Sequence, residues 1–213
     1  MKSRTVVICS HNAKKARELT ALLPGWEVLT LADFPPFPQP EEDASTFADN
    51  AAIKAAGSSK NIPHLCLADD SGLCVDALGG QPGVHSARFA GRHGDDAANN
   101  QKLLEMLHGV AREKRTAHFA CVVAAALRGE ILHTAEGRCD GWIASAPAGD
   151  GGFGYDPLFI PDDQPDAAFF SDGKTFAQMS ADIKNRISHR AHAMRKMVVW
   201  LQSHHSEMSL LEK

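Results

Sequence analysis

Along this chain the spacing of apolar residues shifts repeatedly between the two-residue period of strands and the 3.6-residue period of helices. RTVVICS (4–10) is a short β-branched run, as in a buried strand. NAKKARELTALL (12–23) puts Ala16, Leu19, Leu22 and Leu23 on one helical face, and Pro24-Gly25 stops it. WEVLTL (26–31) predicts a second strand, so the chain opens strand–helix–strand. Four prolines in ADFPPFPQPEED (32–43) forbid regular structure there. STFADNAAIKAAGSSK (45–60) predicts an Ala-rich helix capped by Ser45. LCLADDSGLCVDAL (65–78) reads as a strand that reaches a polar break and resumes.

The second half continues the alternation. GGQPGVHSARFAGRHG (79–94) is a Gly-rich loop, and DDAANNQKLLEMLHGV (95–110) a capped amphipathic helix. AHFACVVAAALRGEILHTAEGRCDGWI (117–143) predicts a hairpin turning at Arg128-Gly129-Glu130. APAGDGGFGYDP (146–157) is a second Gly-rich loop. TFAQMSADIKNRISHRAHAMRKMVVWLQSHH (175–205) gives a short helix, then a long one from near Ser188. These elements predict an α/β fold with a mixed, twisted central sheet flanked by helices. One domain is expected over 1–205, as two lobes with a cleft between them, and 206–213 as a mobile tail.

Composition narrows the partners. With 44% hydrophobic and 23% charged residues over 213 positions, the chain can bury a core without staples, and disorder is excluded. A net charge of −4 gives no bulk attraction to nucleic acid or to an anionic membrane. An anionic substrate therefore needs a local cationic pocket or a metal. Five cysteines without a C-x-x-C pair fit a reducing cytoplasm. The apolar run near the N-terminus is too short for a leader core, and no stretch approaches the roughly 20 apolar residues of a membrane span.

Several stretches carry chemistry. Ser10-His11-Asn12-Ala13-Lys14-Lys15 lies where the first strand hands over to the first helix, a place suited to anions. The same residues also fit a plain helix start capped by Asn12. No Walker loop is present. Asp69-Asp70-Ser71 interrupts an apolar strand; a carboxylate there can hold Mg²⁺ or act as a base, or the residues can simply turn the chain. Glu42, after the Pro-rich loop, is a candidate second metal ligand or an acidic flank to the next helix. Phe153-Gly154-Tyr155-Asp156 joins glycines to two aromatics, suited to stacking a base or to plugging the core. Lys184, His189 and Arg190 concentrate donors at the start of the last helix. No G-x-S-x-G elbow supports serine hydrolysis.

Taken together, SHNAKKARE, EEDASTFADNAAIKA, LADDSGLCVDALGGQPGVHSARFAG, GDGGFGYDPLF and KNRISHRAHA resemble, in order, the inosine triphosphatase family of non-canonical purine nucleoside triphosphate pyrophosphatases. The resemblance implies Mg²⁺-dependent hydrolysis of ITP, dITP and XTP to monophosphate and pyrophosphate by a homodimer. It implies that Ser10 to Lys15 hold the triphosphate, with Lys54 facing the phosphates. Asp70 would be metal ligand and general base, Glu42 a metal ligand, and Ser71 a substrate contact. Phe153 to Asp156, Lys184, His189 and Arg190 would form the base pocket, and Asp69 would support rather than catalyse. His11 departs from the Gly or Asn usual in the family's first loop, and Gln178 from its usual Glu. Two other readings stay open: a pyrophosphatase for other modified nucleotides, and a nucleotide-binding module without catalysis.

Overall fold

A computed structural model describes residues 4–163 and 173–211, with side chains as far as His204. Six strands, β1 (Thr5–Ile8), β2 (Glu27–Thr30), β3 (Leu65–Val75), β4 (Thr116–Leu127), β5 (Glu130–Ile143) and β6 (Phe159–Pro161), pair in the order β2-β1-β3-β4-β5-β6. β1 runs parallel to both β2 and β3, and β5 antiparallel to β6, so the sheet is mixed. The helices are α1 (Ala13–Ala21), α2 (Phe47–Ser59), α3 (Asp96–Met106), α4 (Ala181–Ile187) and α5 (His189–Leu211). The hairpin between β4 and β5 turns at Arg128 (φ 53°) and Gly129 (φ 87°), the left-handed pair a two-residue turn requires.

The chain divides into two compact units. The first contains 1–70, 121–137 and 190–213. Its inner strands, β1, β3 and β4, are buried on both faces. Val6, Ile8, Leu65, Leu67, Cys121, Val123 and Ala125 pack with Leu19 of α1 and Met194, Met197 and Leu201 of α5. The alternate residues, Val7, Cys66, Ala68, Val122, Ala124 and Ala126, pack with Ala51 and Ala55 of α2. A strand alternates its side chains, so helices on each face favour unbroken apolar runs, as at Val6–Ile8 of β1, Leu65–Ala68 of β3 and Cys121–Leu127 of β4. The second unit contains 71–120 and 138–189 and has its own core, in which Leu73, Val75, Phe119, Phe159 and Phe176 meet Leu103 of α3 and Ile187 of α4. All five cysteines are free thiols.

Several local expectations shift. α2 is capped by Thr46, whose hydroxyl accepts from the Asp49 amide at 3.1 Å, not by Ser45. β3 does not break at Asp69-Asp70; it runs unbroken over 11 residues, because both acids find partners without leaving the strand. The Gly-rich segment after it contains a 3₁₀ turn at Gly83–Arg88. α5 continues to Leu211, so most of the expected tail is helical; 212 and 213 lie outside the described residues. Among the described residues no helix is long and apolar enough to cross a membrane.

Gly141 of β5 is required by a close approach. A Cβ there would lie 2.2 Å from the Ile160 carbonyl oxygen on β6. Backbone cannot rotate aside as a side chain does, so Gly141→Ala is expected to cost about 1–3 kcal/mol. For a chain of this size that lowers Tm by roughly 5 °C in a thermal melt.

Candidate active site

In the first unit, the register Val6↔Leu65 to Ile8↔Leu67 sets the end of β1 beside the third residue of β3, two before Asp69. The Cys9 amide donates to the Leu67 carbonyl at 2.8 Å, and the chain then turns through Ser10, His11 and Asn12 into α1. Asn12 Oδ1 accepts from the amides of Lys14 (3.0 Å) and Lys15 (3.2 Å). The cap thus takes two amides that the sequence suggests for an anion. What the helix start offers instead is side-chain charge: Lys15 Nζ lies 3.5 Å from Asp69 Oδ2. Beside this turn a groove of about 550 Å³ has the Pro-rich segment, with Phe34 and Phe37, as its apolar wall, and Ser10, His11 and Arg17 on its polar side.

The period of β3 separates the two aspartates. Leu67 faces α1 and α5, and Ala68 faces α2. Two residues on, Asp69 therefore faces α1 and α5, and Asp70 faces α2. Asp69 is 1% exposed. Its Oδ2 accepts from Arg190 Nε (3.3 Å) and Nη2 (3.2 Å), and Arg190 is paired in turn with Glu18. Burial by itself would raise Asp69, but Lys15, Arg190 and Lys54 outweigh it and hold the carboxyl well below the usual range.

Asp70 meets a different environment. Its Oδ2 accepts from Asn50 Nδ2 at 3.1 Å. Asn50 is itself fixed by the Ala44 backbone, giving to its carbonyl (3.3 Å) and accepting from its amide (3.0 Å). Burial pushes the Asp70 carboxyl above its ordinary value and the Asp69 charge adds to this, against the pull of Lys54, Lys15 and the Asn50 bond. Lys54, one turn after Asn50 on α2, donates to the Asp69 carbonyl at 2.9 Å and pairs with Glu42 at 2.7 Å. Burial would lower Lys54, yet Asp69 and Glu42 carry it above the usual lysine value.

In the second unit, Lys184 Nζ bonds Asp156 Oδ2 at 2.6 Å, both residues being buried. The same ammonium lies 4.7 Å from the centre of the Phe153 ring. His189 is buried and stacks on Phe119, centroids 4.6 Å apart and planes at 12°. Tyr155 is not a surface stacking ring: it is 3% exposed, and its hydroxyl donates to the Ser86 carbonyl at 2.9 Å. Ser71, directly after Asp70 in β3, is half-buried.

The structure thus gathers Lys15, Glu42, Lys54, Asp69 and Asp70 in one unit, and Phe153, Asp156 and Lys184 in the other. Arg190, expected beside Lys184, instead places its guanidinium on Asp69 and Glu18. Sequence reasoning overlooked Asn50 and Glu18. The one available signal was helical spacing, Glu18 three residues after Lys15 and Asn50 four before Lys54. Glu42 and Asp70 are both carboxylates acting on Lys54. Among the described residues no group of three His, Cys, Asp or Glu side chains could hold a metal unaided.

The family model described as the Ham1 family matches residues 6–200. The chain is 49% identical over 196 residues to the dITP/XTP pyrophosphatase of Geobacillus kaustophilus, covering 91% of this chain and 92% of the relative. It is 42% identical over 202 residues to the dITP/XTP pyrophosphatase of Bacillus subtilis, covering 94% and 98%. The fold is similar to the solved Ham1 protein of Staphylococcus aureus (TM-score 0.79, 36% identity, 93% and 98% covered). It is also similar to the nucleoside-triphosphatase, dITP/XTP pyrophosphatase, of Mycobacterium abscessus (TM-score 0.70, 40% identity, 92% and 98% covered).

The two acids should respond oppositely to neutralisation. The folded pKa of Asp69 lies below its ordinary 3.8. Its stabilisation is therefore complete above that value and drains away as pH falls toward the folded one. The folded pKa of Asp70 lies above 3.8. Stability is therefore lost as pH rises from the unfolded value through the folded one, and the cost persists at neutral pH. At neutral pH Asp69→Asn, which removes the buried charge facing Lys15 and Arg190, should lose about 3 kcal/mol. Asp70→Asn should melt at the wild-type temperature or above. Thermal melts of both variants from neutral to acid pH check the signs.

Proposed function

The chain belongs to the Ham1 family, and on that premise we propose that it hydrolyses non-canonical purine nucleoside triphosphates (dITP, XTP and ITP) to the monophosphate and pyrophosphate. The observation that carries the reading is the pair of adjacent aspartates, driven to opposite protonation behaviour on opposite faces of one strand. Two carboxyls whose environments push them apart are suited to two roles. Asp69, held ionised by Lys15, Arg190 and Lys54, fixes the cations. Asp70, raised by burial, is the stronger base once deprotonated, as general-base activation of water requires. A module that only bound nucleotide would use Asp70 for a metal and have no need of it as a base.

In this reading Lys15 and Lys54 take the triphosphate, with Ser10, His11, Asn12, Ala13 and Lys14 forming the turn around it. Asp70 removes a proton from the water that attacks the α-phosphorus, and pyrophosphate departs against the lysine charges. Glu42 and Asp70 fit a Mg²⁺ ion, which commonly takes one or two protein carboxylates and completes its shell from substrate phosphates and water. When bound, that ion supplies the positive charge that offsets the phosphate oxygens. Phe153, Gly154, Asp156, Lys184 and His189 take the base, with Ser71 as a further contact. Asp156 orients the Lys184 ammonium, a donor matched to the 6-oxo group of hypoxanthine and xanthine. Adenine presents a donor at that position, leaving buried donors facing each other. Tyr155 and Arg190 support these groups through Ser86 and Asp69.

The five free thiols fit a cytoplasmic enzyme. A homodimer is expected by family resemblance, and light scattering on the purified protein reads its mass directly.

The deciding assay offers dITP, XTP, ITP, dATP, dGTP and dCTP with Mg²⁺ and separates pyrophosphate from orthophosphate. Pyrophosphate from the first three supports the proposal, and orthophosphate as the product refutes it. Asp70→Asn should lower kcat at least ~10²-fold, the scale of general acid–base catalysis. Turnover near wild type would take the base role from Asp70.

A further inference from the structure

The loop that carries Phe153 and Asp156 is tied to a neighbouring segment at its ends, the Gly151 amide donating to the Ala177 carbonyl and the Ala177 amide to the Asp156 carbonyl, each at 3.1 Å. Gly149, Gly152 and Gly154 all adopt positive φ (81°, 71° and 62°), and glycine gives up the most conformational freedom on being fixed. Inside the loop, Asp156 Oδ2 accepts from the Phe153 amide at 2.8 Å. A Cβ on Gly152 would sit 2.0 Å from that same oxygen, so the backbone closes tightly around the carboxylate. This local bond leaves the next peptide, Gly154, to be held from elsewhere.

It is held by α3. Asp96 Oδ2 accepts from the Gly154 amide at 2.7 Å. Asn100 Nδ2 donates to the Gly154 carbonyl at 2.7 Å and to the Asp96 carbonyl, also at 2.7 Å. Asp96 and Asn100 stand one turn apart on α3, so their side chains leave the same face and reach both ends of one residue. Asn100 Oδ1 is buried with no hydrogen-bond partner among the described residues. The amide is therefore kept for its donors, and two carbonyls receive them. The following residue is tied separately, Tyr155 to the Ser86 carbonyl.

We propose that Asp96 and Asn100 are positioning residues for base recognition: by clamping Gly154 from both sides they hold Phe153 and Asp156, and through Asp156 the Lys184 ammonium, in the orientation that selects the base. Neither residue touches the nucleotide; both act through the loop. This rests on the proposed reading of the loop as the base site. The consequence falls on binding and discrimination more than on the chemical step, which belongs to Asp70.

The test uses the full-length protein with dITP and dATP as probes. Asn100→Leu, which keeps the volume and removes the donors, should raise KM for dITP by roughly ten-fold, the effect of losing about one well-placed hydrogen bond. Its kcat should fall much less, and the preference for dITP over dATP in kcat/KM should narrow. Asp96→Asn retains an oxygen for the Gly154 amide and should recover most of the loss seen with Asp96→Ala. Amide hydrogen exchange at Gly154 and Tyr155 reports the clamp without substrate and should quicken in Asn100→Leu and Asp96→Ala. Faster exchange with wild-type KM and preference overturns the positioning role. Unchanged exchange overturns the clamp. Wild-type protein that binds no dITP overturns the base reading itself, and this inference with it.

Discussion

A carboxylate buried in the middle of a strand is tolerable only if cations come to it, and the arrangement of the first unit follows from that requirement. Asp69 has almost no exposure and lies on a face otherwise filled by Leu67, Val123 and Met194. Desolvation of such a charge costs several kcal/mol unless it is paired and hydrogen-bonded. Lys15 from α1 and Arg190 from α5 supply the pairing, and Glu18 in turn occupies the far side of the guanidinium. The ammonium and guanidinium sit where they do because Asp69 is there, and in the proposed function Lys15 is thereby set to meet a polyphosphate.

The strand's two-residue period then gives the neighbouring acid a different fate. Asp70 points toward α2, where it meets an amide, Asn50, rather than a guanidinium. One backbone thus delivers two carboxyls to two chemistries with no special loop. Lys54 ties the faces together, since its ammonium binds the Asp69 carbonyl and Glu42 while its charge acts on Asp70.

Much of this was legible in the sequence where the cause is local. The opening strand, helix and strand, the Asn12 cap, the Pro-rich segment and the hairpin at Arg128-Gly129 follow from periodicity and turn chemistry within a few residues. The failures share a non-local cause. Asp69-Asp70-Ser71 resembles a strand break because polarity inside a strand usually marks one; only partners at 15, 50 and 190 remove the need to turn. Tyr155 resembles a stacking ring beside its glycines, but the Ser86 carbonyl draws its hydroxyl inward. Arg190 adjoins His189 in sequence, yet His189 packs on Phe119 while Arg190 reaches Asp69. Proximity along the chain at a helix start does not say which core each side chain enters.

The Asp69–Arg190 bond spans 121 residues of chain. At roughly 5–20 residues per second, the translating ribosome makes the acid about 6–24 s before its guanidinium. Throughout that interval β3 can form its ladder and Asp69 can meet Lys15 and Lys54, but the guanidinium that hydrogen-bonds its Oδ2 has not been synthesised. The first unit therefore closes only after α5 emerges, since Met194, Met197 and Leu201 complete the same core. A nascent chain stalled before Arg190 would carry Lys15 and Lys54 and still lack the guanidinium that completes the pairing of Asp69.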